Sequence, residues 1–364
     1  MAGSAEGFRS EAERSACRVL WFGVTYGDFR AALAASTWQG WSDRLSKLGA
    51  HYESLGDTVA WKYAESAGDL WRRAASYYHF AQCQLPQGEA KRALQECCRA
   101  SYHKGLASLS PQARRLEVRY RNEIYPGHLR VARHHAPCVV LINGLDSAKE
   151  VELACFAEGF LRRGLSTFCF DGPGQGEGVG SIPIDEVASA VSTAIETLSL
   201  DCEAGASRFG VFGVSFGGHL ACRIAALEPR ITACISLGGF FDGSVLKRLP
   251  PPAFANLLCA YGIAEGASTD ALFERISLAT LTGRMNRSLL IVHGANDHLV
   301  QVSQVEALKR WAPKSEIRLY EPGEHVCTDR FSECLPMLWD WMADRLGPPS
   351  AVSAVDEDLM EVYL

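Results

Sequence analysis

The chain has 364 residues, of which 48% are hydrophobic and 21% charged, and its formal net charge is −6. This is the make-up of a globular protein with a substantial buried core, and it excludes disorder and fibres. No lysine- or arginine-rich block with interleaved aromatics occurs, which argues against nucleic acid as the main partner, and no apolar run approaches a membrane span.

Thirteen cysteines are scattered along the chain, with one adjacent pair, Cys97-Cys98, and no C-x-x-C unit. Free thiols in a reducing cytosol explain that usage better than a disulfide framework or a zinc site. Met1 to Glu13 carries charges and no apolar stretch, so neither a secretory signal nor a transit peptide is expected, and the protein is expected to be cytoplasmic.

In chain order, Phe8 to about Leu109 is alanine-rich, with apolar residues at helical spacing. One stripe is Leu33, Trp38, Trp41, Leu45 and Leu48, and a second is Val59, Tyr63, Leu70, Ala74 and Tyr78. Gly56-Asp57, Pro86-Gln87-Gly88 and Ser110-Pro111 read as turns between helices. The aromatics Trp21, Phe22, Tyr26, Trp38 and Trp41 would suit an apolar or aromatic ligand, though core packing explains them equally well.

After Pro111 the pattern changes. Leu116 to Tyr125 alternates, Pro126-Gly127 reads as a turn and Leu129 to Ala132 returns, which predicts an edge hairpin. Val139 to Ile142 is a continuous apolar run of the kind found in buried parallel strands. Val151 to Arg163 and Ile184 to Leu198 read as helices, and Thr167–Phe170, Phe209–Val214, Ile231–Leu237, Leu289–His293 and Ile317–Tyr320 as strands. The alternation predicts an α/β fold, a mostly parallel sheet with helices on both faces. The expected domains are a helical N-terminal cap over 1–111, a catalytic domain over 112–347 with a lid at 240–285, and an acidic tail over 348–364.

Gly213-Val214-Ser215-Phe216-Gly217 lies between a strand and a helix-like segment, the context of a nucleophile elbow. A serine hydroxyl is a weak nucleophile at neutral pH and needs an imidazole to take its proton and a carboxylate to hold that imidazole. Asp297 follows one predicted strand and His325 the next, so Ser215, Asp297 and His325 are the candidate catalytic residues, in the order serine, acid, histidine. The expected oxyanion donors are the backbone N–H of Phe216 and one from the turn holding Gly144 and Leu145. Asp171 to Glu177 is glycine-rich but lacks a P-loop's Gly-Lys-Ser/Thr end. His134-His135, and His293 with His298, have no partners at metal-ligand spacing, so no metal and no cofactor are expected.

Three segments together are similar to a known family: Leu141 to Glu150, Phe170 to Glu177 and Gly213 to His219. The chain resembles the α/β-hydrolases that include 2,6-dihydroxypseudooxynicotine hydrolase, FrsA-like esterases and fungal polyketide-shortening hydrolases, which also carry helices before the catalytic domain. The resemblance implies an α/β-hydrolase fold, a homodimer, and a small-molecule carbonyl substrate cleaved at an ester or at a carbon–carbon bond beside a ketone. It also implies that a carboxylate at Asp146, where the family's carbon–carbon hydrolase has glutamate, assists that cleavage. From the residues alone, Asp146 is either a proton donor near the oxyanion or a cap for a helix starting near Ala148. An acyltransferase or thioesterase would use the same serine, and a binding protein on a hydrolase scaffold would use none of it.

Overall fold

The computed structural model describes residues 5–171, 176–177, 183–263, 268–281 and 285–347. The tail expected beyond Gly347 lies outside them, as do residues 172–175 of the glycine-rich loop. The amino-terminal part is helical, with α1 (Ala5–Arg14), α2 (Ala16–Trp21), α3 (Tyr26–Leu33), α4 (Trp38–Val59), α5 (Ala64–Gln82) and α6 (Glu89–Lys104). Thr25 and Thr37 cap α3 and α4, each hydroxyl accepting a backbone N–H of the first turn. Trp41 and Phe29 meet edge to face at 5.6 Å and Phe8 meets Trp38 at 4.9 Å, so much of the aromatic stripe is core.

Gly56-Asp57 is not a turn, because α4 runs through it to Val59. A Cβ on Gly56 would stand 2.7 Å from the indole of Trp71 on α5, so the glycine lets two helices pack closely. Composition cannot distinguish that use of glycine from a turn.

The rest of the chain forms an eight-stranded sheet in the order β1-β2-β4-β3-β5-β6-β7-β8. The strands are β1 (Ala113–Tyr120), β2 (Glu123–Arg130), β3 (Cys138–Ile142), β4 (Ser166–Phe170), β5 (Phe209–Val214), β6 (Ile231–Leu237), β7 (Ser288–Gly294) and β8 (Glu316–Tyr320). β1 and β2 are antiparallel to their neighbours, and all pairs from β4 to β8 are parallel.

The edge hairpin exists, but its turn is Arg121-Asn122, with Arg121 at φ 55, and not Pro126-Gly127. Pro126 and Gly127 lie inside β2. A Cβ on Gly127 would meet the Phe168 ring at 2.3 Å, and Pro126 falls just before the stretch paired to β4, where a missing donor is tolerated.

Between strands run α7 (Ala154–Leu161), preceded by a π-helical turn over Lys149–Leu153, then α8 (Val187–Leu200), α9 (Phe216–Leu227), α10 (Pro251–Ala260), α11 (Asp270–Ile276), α12 (Val302–Trp311) and α13 (Phe331–Leu346). Alternate residues of β3 enter different cores. Val140 and Ile142 pack with α8 and α9, whereas Val139 and Leu141 pack with α7, α13 and the amino-terminal helices. The helical region therefore shares a continuous core with one face of the sheet.

Candidate active site

Ser215 stands between β5 and α9 with φ 56 and ψ −119, a conformation that ordinary side chains rarely adopt. The flanking glycines allow the turn. A Cβ on Gly213 would lie 1.9 Å from the Gly217 carbonyl oxygen, and one on Gly217 would lie 2.3 Å from the Ile142 oxygen. Phe216 opens α9, so its N–H belongs to the first helical turn, which has no partner within the helix. Gly144 packs against the serine from β3's end, its missing Cβ only 3.3 Å from that of Ser215, and Leu145 follows it.

Two strands away, Gly294 ends β7 where a side chain would strike the Gly323 and Glu324 carbonyls at 2.3 Å. That absence lets the two loops join: Ala295 N–H donates to Tyr320 O at 2.9 Å and Asn296 N–H to Gly323 O at 2.8 Å. Asp297 and His325 are thereby brought together. Val326 and Cys327, just after His325, both take left-handed backbone with φ 62 and 55, and a β-branched residue there is strained. Gly238 lies against that corner, with room for no Cβ beyond 3.1 Å from Val326 Cα.

Ser215 Oγ lies 2.9 Å from His325 Nε2, and His325 Nδ1 lies 2.7 Å from Asp297 Oδ2. A neutral ring with its proton on Nδ1 satisfies both contacts, accepting from the serine and donating to the carboxylate. Asp297 Oδ1 accepts the N–H groups of Leu299 and Val300 at 2.9 and 2.8 Å, so Asp297 both orients the imidazole and caps a turn. Burial pushes its pKa up, but His325 and the Val300 N–H outweigh that and hold it below the usual carboxylate value. Burial pushes the neighbouring His298 down, and His325 adds to the effect.

The serine opens into a cavity of about 460 Å³. Phe22, Phe156, Leu249 and Phe331 give it apolar walls, with Arg14, Arg248 and His298 among its polar lining. Of the five aromatics suspected from sequence, Phe22 faces this space, Trp41 is core and Tyr26 is exposed.

Asp146 also lines the cavity, only half-buried. Its Oδ1 accepts from Asn256 Nδ2 of α10 at 2.5 Å, and Gln87 donates in turn to Asn256 Oδ1 at 2.6 Å. The residue capping the π-helical turn is Ala148, with no side-chain bond, so the capping role considered for Asp146 is not what its side chain does.

Two buried charge clusters that sequence reasoning missed hold this end of the sheet. Arg18 of α2 donates to Glu152 Oε1 through both Nε and Nη2, at 3.0 and 2.6 Å, and to the Asp146 carbonyl at 2.9 Å. His79 Nε2 lies 3.1 Å from the same Glu152 oxygen, and Ser147 Oγ donates to Glu152 Oε2 at 2.8 Å. In the second cluster, Lys149 Nζ lies 2.7 Å from Asp171 Oδ2 and 2.6 Å from Glu150 Oε1. Asn143 Nδ2 donates to Asp171 Oδ1 at 2.9 Å. Leu141 to Glu150 and the glycine-rich stretch from Asp171 thus bond to each other, a pairing that neither motif displays alone.

Comparison with known proteins agrees with this architecture. The profile of the family described as esterase FrsA-like matches residues 56–250. The 2,6-dihydropseudooxynicotine hydrolase of Paenarthrobacter nicotinovorans is 29% identical over 342 residues, covering 90% of this chain and 91% of that protein. The 20-hydroxy-prefusarin hydrolase of Gibberella moniliformis is 30% identical over 69% of this chain, which spans only 62% of that longer protein. The crystal structure of the 2,6-dihydroxy-pseudo-oxynicotine hydrolase superposes with a TM-score of 0.82 at 27% identity, over 91% of this chain and 95% of that one.

Proposed function

The chain belongs to the FrsA-like esterase family of α/β-hydrolases, and from that membership we propose that it hydrolyses a small carbonyl compound by covalent catalysis at Ser215. In this reading His325 takes the hydroxyl proton as Ser215 Oγ attacks the carbonyl carbon. The oxyanion is held by the N–H of Phe216 and one from the Gly144-Leu145 turn, each donor worth roughly 10²- to 10³-fold in rate. The tetrahedral adduct then breaks the bond to the leaving group, which departs with a proton from His325. Water, activated by the same imidazole, cleaves the acyl-serine and restores the hydroxyl. The single observation that carries this reading is the hydrogen-bonded row from Ser215 through His325 to buried Asp297 at the floor of an apolar cavity.

The substrate class is an aromatic or polyketide-like ketone or ester. Apolar walls favour such a body, and two relatives are named for hydrolysing 2,6-dihydropseudooxynicotine and 20-hydroxy-prefusarin. Cleavage of a carbon–carbon bond expels an enolate, a poorer leaving group than an alkoxide, and gives a second carboxyl group at the cavity wall a purpose. In this reading Asp146, which accepts from Asn256 and lines the cavity, holds a water or a substrate hydroxyl there.

A fluorophosphonate probe is expected to label Ser215 in the folded protein, and Ser215→Ala should abolish labelling and turnover of a model ester. Unlabelled folded protein, or a fully active alanine variant, would refute the nucleophile. For the narrower role, Asp146→Asn should slow hydrolysis of a β-diketone far more than that of an ester. Equal effects on both would remove Asp146 from the chemistry.

A further inference from the structure

Away from Ser215, three ligating side chains converge where α6, β2 and the π-helical turn meet. His103 comes from α6, His128 from β2 and Glu150 from the turn, and one donor atom of each lies within 4.8 Å of the others. His128 and Glu150 are 2% and 3% exposed, and His103 is half-buried. We propose that His103, His128 and Glu150 bind one divalent cation of the zinc class, with a fourth position left to water.

The spacing fits such an ion. The two Nε2 atoms are 3.3 Å apart. Two imidazole nitrogens on a tetrahedral zinc, each about 2.0–2.1 Å from the metal, stand about 3.3–3.4 Å from each other. Burial disfavours the imidazolium form of both rings, which leaves their lone pairs free to ligate.

Two buried carboxylates share Lys149, Glu150 at 2.6 Å and Asp171 at 2.7 Å, while Glu177 is engaged by Arg115 and approached by Arg99. The Glu150 Oε1 that Lys149 approaches makes no well-aligned hydrogen bond. Imidazole with carboxylate is a donor set that zinc accepts. Glu150 also lines a separate cavity of about 40 Å³, and His103 is half-buried. The bound ion would fasten the helical region to the sheet beside the loop that carries Gly144, Leu145 and Asp146.

Calorimetric titration of chelator-treated full-length protein with Zn²⁺ should show one tight equivalent. In His103→Ala, affinity should fall by at least the roughly 10- to 100-fold that losing even an outer partner of a metal site costs. Glu150→Gln should give the same loss, and the Co²⁺-loaded wild type should show ligand-field absorption of a nitrogen and oxygen site. Equal binding by wild type and a folded His103→Ala, no stoichiometric binding by wild type, or sulfur-to-cobalt charge transfer placing the ion on cysteine would each overturn the site. None of these readouts depends on Ser215, so they stand apart from any test of hydrolysis.

Discussion

Glu152 shows how much a single buried side chain can control. Burial alone would raise its pKa, but Arg18 and His79 more than reverse that and hold it at about 2, against an ordinary 4.5. Burial lowers His79, yet Cys83 and Glu152 outweigh it and hold the imidazolium up to about 9 from 6.5. A depressed acid stabilises the fold above its unfolded pKa and loses that contribution as pH falls, whereas a raised base does the reverse. The cluster is therefore at full strength between pH 4.5 and 6.5, weakening towards 2 on one side and 9 on the other. Thermal melts across pH should show wild type losing Tm below 4.5, with a distinctly shallower loss in Glu152→Gln. At neutral pH Glu152→Ala should cost about 3–5 kcal/mol in denaturant unfolding, because buried His79 is left without its counter-charge and the partly exposed Arg18 loses its partner. By contrast, Ser215, Asp297 and His325 were expected together from an elbow and two strand ends in order, although Asp297 alone read as a cap and His325 alone as a loop histidine.

At the scale of elements, glycines divide into those that turn the chain and those that let it approach something. Gly213 and Gly217 allow the elbow, and Gly294 allows the histidine loop to lie on the end of β7. Gly56 and Gly127 sit in regular structure facing Trp71 and Phe168, and sequence reasoning took both for turns. Gly56→Ala separates the two uses. An exposed helix would gain about 1 kcal/mol from the change, but here the new methyl meets the indole at 2.7 Å, so a net loss of about 1–3 kcal/mol in denaturant unfolding is expected. A stabilised variant would show that the α4–α5 contact yields more readily than its geometry indicates. The strands themselves were legible because continuous apolar runs such as Val139 to Ile142 have one physical use, burial on both faces.

Across the whole molecule, the cavity belongs to no single stretch of chain. Glu11, Arg18 and Phe22 come from the amino-terminal helices and their linkers, Arg248 to Pro251 and Ala253 from the segment before and within α10, and Ser215 and His325 from the sheet's carboxyl edge. Since the helical region also shares one core with the sheet, cutting away the first 22 residues should do more than widen an entrance. It removes Arg18 from Glu152 and Phe22 from Phe156 and Phe331. The truncated protein should melt at a lower temperature, bind more of a dye that reports exposed apolar surface, and hydrolyse bulky esters more slowly than small ones. An unchanged melt would mean that these helices are spectators.

The sequence alone determined the alternation of strand and helix, the strained serine turn, and the order of serine, acid and histidine. Each rests on periodicity or turn chemistry that acts between near neighbours. Only the tertiary structure decided which polar side chains meet: Arg18 with Glu152, 134 positions away, Asp146 with Asn256, 110 away, and His103 with His128 and Glu150. Pairing of buried polar and charged groups is a requirement of the low-dielectric interior and not of the local chain, so no spacing pattern announces the partner.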